Sequence, residues 1–208
     1  MKFANITCLS TLALLLIASN VSAQTTPPTT TDGSPPTAAD ADQPGWLMSH
    51  YNAAEAKVEQ LYDTGELSIV LSGEAHHGRG TYTTQQIDQF TEKVWGLGMS
   101  KELRDDKDNE EDISFVIMAD SHYVPQITAG YGYQWMAHLG GNWEAGIGYT
   151  AGLISRSDII GGTPFPGVLP LGSIGTRSNK LMVSYIPRLT SGKGNGDVLF
   201  LALRLDLK

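Results

Sequence analysis

Cysteine and histidine, two side chains well suited to covalent and proton-transfer chemistry, are few in this sequence. The single cysteine is Cys8, and the 5 histidines are His50, His76, His77, His122 and His138. His77 stands at the end of a predicted strand, and Asp120-Ser121 places a carboxylate beside a hydroxyl. Acyl transfer needs a base with a pKa near neutral, a hydroxyl and a group that stabilises developing negative charge. From residue types alone, solvated side chains at strand ends and in loops remain an open alternative for these positions.

The histidines do not predict a metal centre. They are spread along the chain, and the adjacent His76 and His77 point to opposite faces of a strand. We therefore expect neither a metal ion nor an organic cofactor.

The first 23 residues have the three parts of a secretory signal peptide. Lys2 provides the positive charge, Leu12 to Ala18 form a short apolar core, and Val21-Ser22-Ala23 is a small-residue cleavage site. The apolar core is shorter than a membrane-spanning helix, so we predict cleavage near Ala23. Because Cys8 lies in this segment, the exported chain has no disulfide, cysteine nucleophile or thiolate ligand.

Two further segments precede the main domain. Residues 24–45 contain 5 of the 10 prolines and no large apolar side chain, which predicts a disordered Pro/Thr-rich linker. Residues 46–64 carry apolar side chains at helical spacing, and Gly65 ends the pattern. We predict an amphipathic helix that either packs on a core or lies at a membrane surface.

The overall composition excludes two classes of protein. A net charge of -8 excludes a non-specific nucleic-acid binder, which needs a basic face for phosphates. The exported part has no apolar run long enough for a membrane-spanning helix, which excludes a helical membrane bundle.

From Glu66 onward the apolar pattern has a period of two residues. In residues 127–136 and 143–155 one face is apolar and aromatic while the opposite face is mostly small, and 20 of the 23 glycines lie at or after Gly73. This pattern predicts an all-β fold, an eight-stranded antiparallel transmembrane β-barrel over residues 65–208 with a hollow interior and an N-terminal amphipathic α-helix. A soluble barrel of the lipocalin kind is the structural alternative. The predicted strands are 66–77, 94–103, 112–121, 126–137, 143–156, 167–175, 179–187 and 197–207, and the charged block Arg104 to Glu111 is predicted to be a solvated loop or turn.

Several short motifs, in order and spacing, give the chain a family resemblance. They are Ala129-Gly130-Tyr131-Gly132, Gly148-Tyr149-Thr150-Ala151-Gly152, Leu169-Pro170-Leu171-Gly172-Ser173-Ile174-Gly175, Tyr185-Ile186-Pro187 and Gly194-Asn195-Gly196-Asp197-Val198. From Trp46 to its end the chain resembles the outer-membrane lipid A palmitoyltransferases (PagP). The resemblance implies a barrel in the outer membrane, with the helix on the periplasmic side.

The function implied by this resemblance is transfer of a palmitoyl chain from a glycerophospholipid to lipid A. The expected partners are the acyl donor, the lipid A acceptor and the outer-membrane bilayer, with no nucleic acid and no cofactor. A closed barrel needs no second chain to cover an edge, so we expect a monomer. The alternatives are a non-enzymatic small outer-membrane barrel, such as an adhesin, and a lipid-binding barrel.

The resemblance also implies the catalytic residues His77, Asp120 and Ser121. His77 matches through the pattern His77-Gly78-Arg79, with Tyr82 and Trp95-Gly96 beyond it. His77 would be the general base, and Asp120 would orient either His77 or the substrate. Asp120 and Ser121 are adjacent, and the side chains of neighbouring strand residues point apart, so they are not expected to form an ordinary relay triad with His77. Ser121 would instead be either a nucleophile or an oxyanion donor.

Three further residues are implied to bind the lipid substrate. Gly132 matches the glycine that forms the floor of the acyl-chain cavity in the family. Pro170 and Pro187 match a pair of prolines that interrupt strand pairing, through which lipid enters from the bilayer. A second such pair is absent, because Ser72 and Val94 stand where its prolines are expected.

Overall fold

The computed structural model describes residues 45–80, 82–88, 91–119, 123–155, 160–187 and 197–207. The predicted signal peptide, the predicted linker up to residue 44, and both Asp120 and Ser121 lie outside these ranges. The described chain begins with a helix and continues as eight strands. The elements are α1 (Trp46–Thr64), β1 (Glu66–His77), α2 (Thr84–Ile87), β2 (Gly96–Arg104), β3 (Glu110–Ala119), β4 (Pro125–Gly140), β5 (Trp143–Ile154), β6 (Phe165–Thr176), β7 (Asn179–Ile186) and β8 (Val198–Asp206), with a short 3₁₀ turn at Ile160–Gly162 before β6.

The eight strands close into an antiparallel barrel in which each strand pairs with its neighbours in sequence and β1 pairs with β8. This confirms the predicted fold class. Each described strand limit lies within three residues of the predicted one. The agreement follows from the period-two pattern, because a register shift of one residue would turn the apolar face inward.

The helix α1 has one buried stripe. Ala54, Val58 and Leu61 are buried at helical spacing, whereas Trp46 and Leu47 are exposed. The backbone N–H of Gly65 donates to the carbonyl of Leu61, and a Cβ at Gly65 would lie 2.4 Å from that oxygen. Only glycine therefore fits where α1 ends and the barrel begins. Among the described helices, none combines the length and the apolarity needed to cross a membrane.

The barrel strands present an apolar surface outward. The most exposed large side chains in the strands alternate with buried ones, as in β2, where Leu97 and Met99 are exposed while Ser100 and Glu102 are buried. Other exposed apolar side chains on this surface are Phe115, Ile117, Ile127, Trp135, Ile147, Val168, Ile174, Leu203. A lipid-facing surface of this kind matches the predicted transmembrane barrel.

The charged block between β2 and β3 is only partly a loop, so that prediction was wrong at its two ends. Arg104 ends β2 and Glu110 begins β3, and the side chains of both lie inside the barrel. The turn itself is organised by Asp105, whose Oδ1 accepts the backbone N–H groups of Lys107 and Asn109 at 2.8 Å. Burial raises the pKa of the Asp105 carboxyl, but the hydrogen bonds it accepts outweigh burial and hold the pKa below its ordinary value.

Candidate functional site

His77 lies on the inner face of the barrel, at the end opposite the Asp105 turn. It ends β1, it is 4% exposed, and its register partner is Val198 at the start of β8. Its ring contacts the ring of Tyr82 edge-on, with centroids 5.4 Å apart. The predicted general base is therefore a shielded side chain at a barrel rim, although a histidine at a strand end is often solvated.

The chain around His77 is fixed by backbone hydrogen bonds. The N–H of Gly78 donates to the carbonyl of Asp197 at 2.9 Å, and the N–H of Tyr82 donates to the carbonyl of Gly78 at 3.1 Å. Tyr82 is buried in an apolar cluster with Ala75, Val94 and Val198. These contacts restrain both the backbone and the ring of His77. Of the other residues that carried the resemblance, Arg79 and Trp95 are exposed.

The segment that precedes Asp120 ends at the same rim. β3 ends at Ala119, whose N–H donates to the carbonyl of Trp95 at 2.9 Å. Because the strands alternate in direction, the end of β3 and the end of β1 share one end of the barrel. Asp120 and Ser121 themselves lie outside the described residues, so the structure places only His77 of the predicted catalytic set.

An interior cavity of about 140 Å³ lies within the barrel, towards the half that carries His77. Its upper wall includes Met118, Ile154 and Ile186, and its lower wall includes Asp112 and Arg204. Asp112 and Met118 are six residues apart on β3, or about 20 Å along the strand. An apolar wall of this length, closed at the bottom by charged groups, suits a hydrocarbon chain.

Gly132 lies on β4 directly opposite Asp112 on β3. A Cβ at Gly132 would lie 2.2 Å from Oδ1 of Asp112, so the Asp112 carboxylate occupies the space that the missing side chain leaves. Asp112 lines the cavity, whereas Gly132 supports Asp112 from behind. The predicted floor residue thus acts on the cavity through a neighbouring carboxylate that the sequence argument did not single out.

Below the cavity, the barrel interior holds a network of buried charges, which we call the polar plug. It consists of the carboxylates Glu102, Glu110 and Glu144 and the cations Arg104, Lys180 and Arg204. Arg204 contacts Glu102 at 2.9 Å and Glu110 at 2.6 Å, and Lys180, which is 1% exposed, contacts Glu144 at 2.6 Å. Lys180 also pairs with Glu110, and Arg104 pairs with Glu144. The apolar cavity therefore lies in the half that contains His77, and buried charges occupy most of the other half among the described residues.

The polar plug could have been found in the sequence. All six of its members stand at even-numbered positions, which is the inward parity of their strands. The signal was missed because the small residues at neighbouring inward positions dominated the pattern.

The pairing between β6 and β7 covers only part of their length. It runs from Leu171 opposite Ser184 to Gly175 opposite Lys180, although β6 starts at Phe165 and β7 ends at Ile186. Pro170 is the first β6 residue beyond the paired part, and Pro187 follows β7. The hydroxyl of Ser184 donates to the carbonyl of Pro170 at 3.1 Å. The two predicted access prolines therefore flank an unpaired stretch that borders the cavity residues Leu169 and Ile186.

The pairing between β1 and β2 also stops early, without prolines. It ends at Ser72 opposite Gly96, where β1 has a register irregularity around Gly73. The Ser72 hydroxyl donates to the carbonyl of Val94 at 2.7 Å. The position where a second pair of prolines is absent is thus closed by a side-chain hydrogen bond.

Comparison with known proteins gives one consistent family. The model of the family described as "Antimicrobial peptide resistance and lipid A acylation protein PagP" matches residues 57–204. Curated relatives named lipid A acyltransferase PagP include one from Bordetella parapertussis, 39% identical over 160 residues, covering 77% of this chain and 84% of that protein. A second, from Methylobacillus flagellatus, is 37% identical over 72% of this chain and 82% of its own length. A third, from Legionella pneumophila, is 31% identical over 73% of this chain and 79% of its own length.

Proposed function

Because the chain belongs to the PagP family of lipid A acyltransferases, we infer that this barrel acylates lipid A in the outer membrane. We propose further that the acyl group is palmitate and that a glycerophospholipid donates it. The observation that supports this best is the apolar cavity beneath the shielded His77, which suits a long acyl chain with its ester at the rim. A non-enzymatic barrel and a soluble lipid carrier are not favoured.

In the proposed reaction, His77 acts on the hydroxyl of the lipid A acyl chain. His77 accepts the proton of this hydroxyl as its oxygen attacks the ester carbonyl of the phospholipid. The bond from the carbonyl carbon to the phospholipid oxygen then breaks, and His77 returns the proton to that leaving oxygen. The products are acylated lipid A and a lysophospholipid.

Asp120 and Ser121 complete the proposed site. They follow Ala119 directly in sequence, and Ala119 ends β3 at the rim where β1 ends with His77. We propose that Asp120 orients His77 or the substrate. Ser121 would supply a donor to the developing oxyanion in this direct transfer. In the alternative two-step route, Ser121 would be the nucleophile that first accepts the acyl chain and then passes it to lipid A.

Donor lipid is proposed to enter between β6 and β7. Pro170 lacks a backbone N–H, and the two strands do not pair beyond it. An acyl chain that passes through this opening would reach the cavity wall formed by Leu169, Leu171 and Ile186. The helix α1 is proposed to lie on the periplasmic side, and the enzyme to act as a monomer.

The proposal is tested by mass spectrometry of lipid A from cells that express the chain. Wild-type lipid A should gain the mass of one palmitoyl group. His77→Asn should fold and reduce the product at least 100-fold, because general acid–base catalysis contributes about 10²–10⁴-fold. Ser121→Ala should fold and reduce it by a similar factor, because loss of one oxyanion donor costs about 10²–10³-fold. His138→Asn, which changes an exposed histidine at the opposite end, is the matched control. Unmodified lipid A in the wild-type strain would refute the enzyme assignment, and full activity of His77→Asn would refute the role of His77.

A further inference from the structure

The outer surface of the barrel carries a cluster of potential metal ligands beside the end of β1. Glu74 and His76 project outward from β1, because Ala75 and His77 between and after them are buried. Glu92, from the segment before β2, lies next to them, and one ligand atom from each of the three residues lies within 4.8 Å of the other two. The sequence does not suggest this grouping, since Glu92 is distant from His76 along the chain.

The backbone brings Glu92 into this position. β1 and β2 stop pairing at Ser72, but the N–H of Ala75 donates to the carbonyl of Glu92 at 2.8 Å. This hydrogen bond sets Glu92 alongside the stretch of β1 between Glu74 and His76. Together with the Ser72–Val94 hydrogen bond, it fastens the segment before β2 to β1.

One carboxylate oxygen of the cluster is shielded from solvent, in a side chain that is 34% exposed as a whole. Oε1 of Glu92 is shielded from solvent and accepts no hydrogen bond from any residue that the structure describes. It lies 3.4 Å from Nδ1 of His76. Two ligands bound to Zn²⁺ at about 2.0–2.1 Å in tetrahedral geometry are about 3.3 Å apart, so this pair has the required spacing. The contact with His76 does not have the geometry of a hydrogen bond, so a cation bound by both atoms would stabilise this oxygen further.

We propose that Glu74, His76 and Glu92 bind a divalent transition-metal ion of the Zn²⁺ class on the outside of the barrel. An imidazole nitrogen favours such ions over Ca²⁺ and Mg²⁺, which prefer oxygen ligands. The two carboxylates balance the charge of the ion, and three protein ligands leave a fourth position for water. Glu74 is exposed and has the rotamer freedom to close the remaining distance.

The bound ion fastens the segment before β2 to β1 on the face opposite His77. It adds a second attachment beside the Ala75–Glu92 hydrogen bond, at the place where strand pairing is interrupted. This role does not depend on the proposed acyl transfer, because the ion touches neither the interior cavity nor His77.

Titration of Zn²⁺ into the exported chain, purified in detergent without a polyhistidine tag, tests the site. We expect one ion per barrel and at least a tenfold loss of affinity in His76→Ala and in Glu92→Gln, with each variant checked for folding by circular dichroism. His138→Ala is the matched control, because His138 is exposed and also faces a carboxylate, that of Asp108, at 2.7 Å. Equal Zn²⁺ affinity in the wild type and His76→Ala, or equal loss in His138→Ala, would overturn the proposal.

Hydrogen exchange gives a second measurement at a single amide. Zn²⁺ should slow the exchange of the Ala75 N–H in the wild type, since the ion holds its acceptor segment in place. In Glu92→Gln the same addition should leave the rate unchanged. Exchange that does not respond to Zn²⁺ in the wild type would contradict the fastening role.

Discussion

At the residue scale, the depth of the cavity depends on a pair of residues rather than on one. Gly132 has no side chain, and the Asp112 carboxylate fills the vacated space. Asp112 is in turn the residue that faces the cavity. Any side chain at position 132 must therefore displace Asp112, and the space below is already taken by the polar plug.

We predict that Gly132→Met shortens the acyl chain that the enzyme transfers. The larger side chain pushes Asp112 upward into the cavity, which reduces the length available to the hydrocarbon. The measurement is the mass distribution of acyl chains added to lipid A from a mixture of phospholipids. Gly172→Met is the control, because Gly172 lies on the outward parity of β6 and a Cβ there meets nothing closer than 3.7 Å. An unchanged chain-length distribution in Gly132→Met would show that position 132 does not set the depth of the cavity.

Individual residues were predictable from the sequence to different degrees. His77 and Gly132 were predicted as site residues from short motifs of the family, and the structure places both on the inner face of the barrel. Asp112 and Glu92 were not predicted as site residues. Asp112 matters because of its register partner on β4, and Glu92 because of a hydrogen bond to β1. Cross-strand neighbours of this kind are set by register, which one sequence does not state.

At the element scale, β6 and β7 are paired at one end and unpaired at the other. The unpaired end borders the cavity and is flanked by Pro170 and Pro187. The prolines were visible in the sequence, but the extent of the opening was not, because several residues beyond Pro170 also lack a partner on β7.

We predict that a disulfide across the unpaired ends of β6 and β7 stops acyl transfer. Pro170→Cys and Tyr185→Cys occupy the next positions after the Leu171–Ser184 pair and face outward, so the bridge closes the opening without filling the cavity. Oxidation should abolish lipid A acylation in a detergent assay, and reduction should restore it.

The control for this experiment is a bridge in the paired part of the same two strands. Ile174 and Leu181 are register partners on the outward face, so Ile174→Cys with Leu181→Cys should form a disulfide that leaves activity unchanged. Full activity of the oxidised Pro170/Tyr185 pair would exclude this opening as the route of entry.

At the scale of the whole barrel, the two ends have different chemistry. The end with His77 encloses an apolar cavity, and the other end is filled by the polar plug of three carboxylates and three cations. The number of strands and their faces followed from the period-two pattern. The division of the interior did not, because it depends on which inward residues of eight strands lie at the same height.

The contacts of the polar plug predict how much the buried cation Lys180 contributes to the free energy of unfolding. Lys180→Met should lower the free energy of unfolding by about 3 kcal/mol, the low end for breaking a buried ion pair, because Arg104 and Arg204 still contact the same carboxylates. Urea unfolding of the refolded barrel in detergent measures this change.

Adding Glu110→Gln to Lys180→Met should restore part of the lost stability by removing the excess negative charge. His138→Ala, which breaks an exposed pair with Asp108, should change the same quantity by about 1 kcal/mol or less. A Lys180→Met barrel as stable as the His138→Ala control would show that the plug does not hold the barrel together.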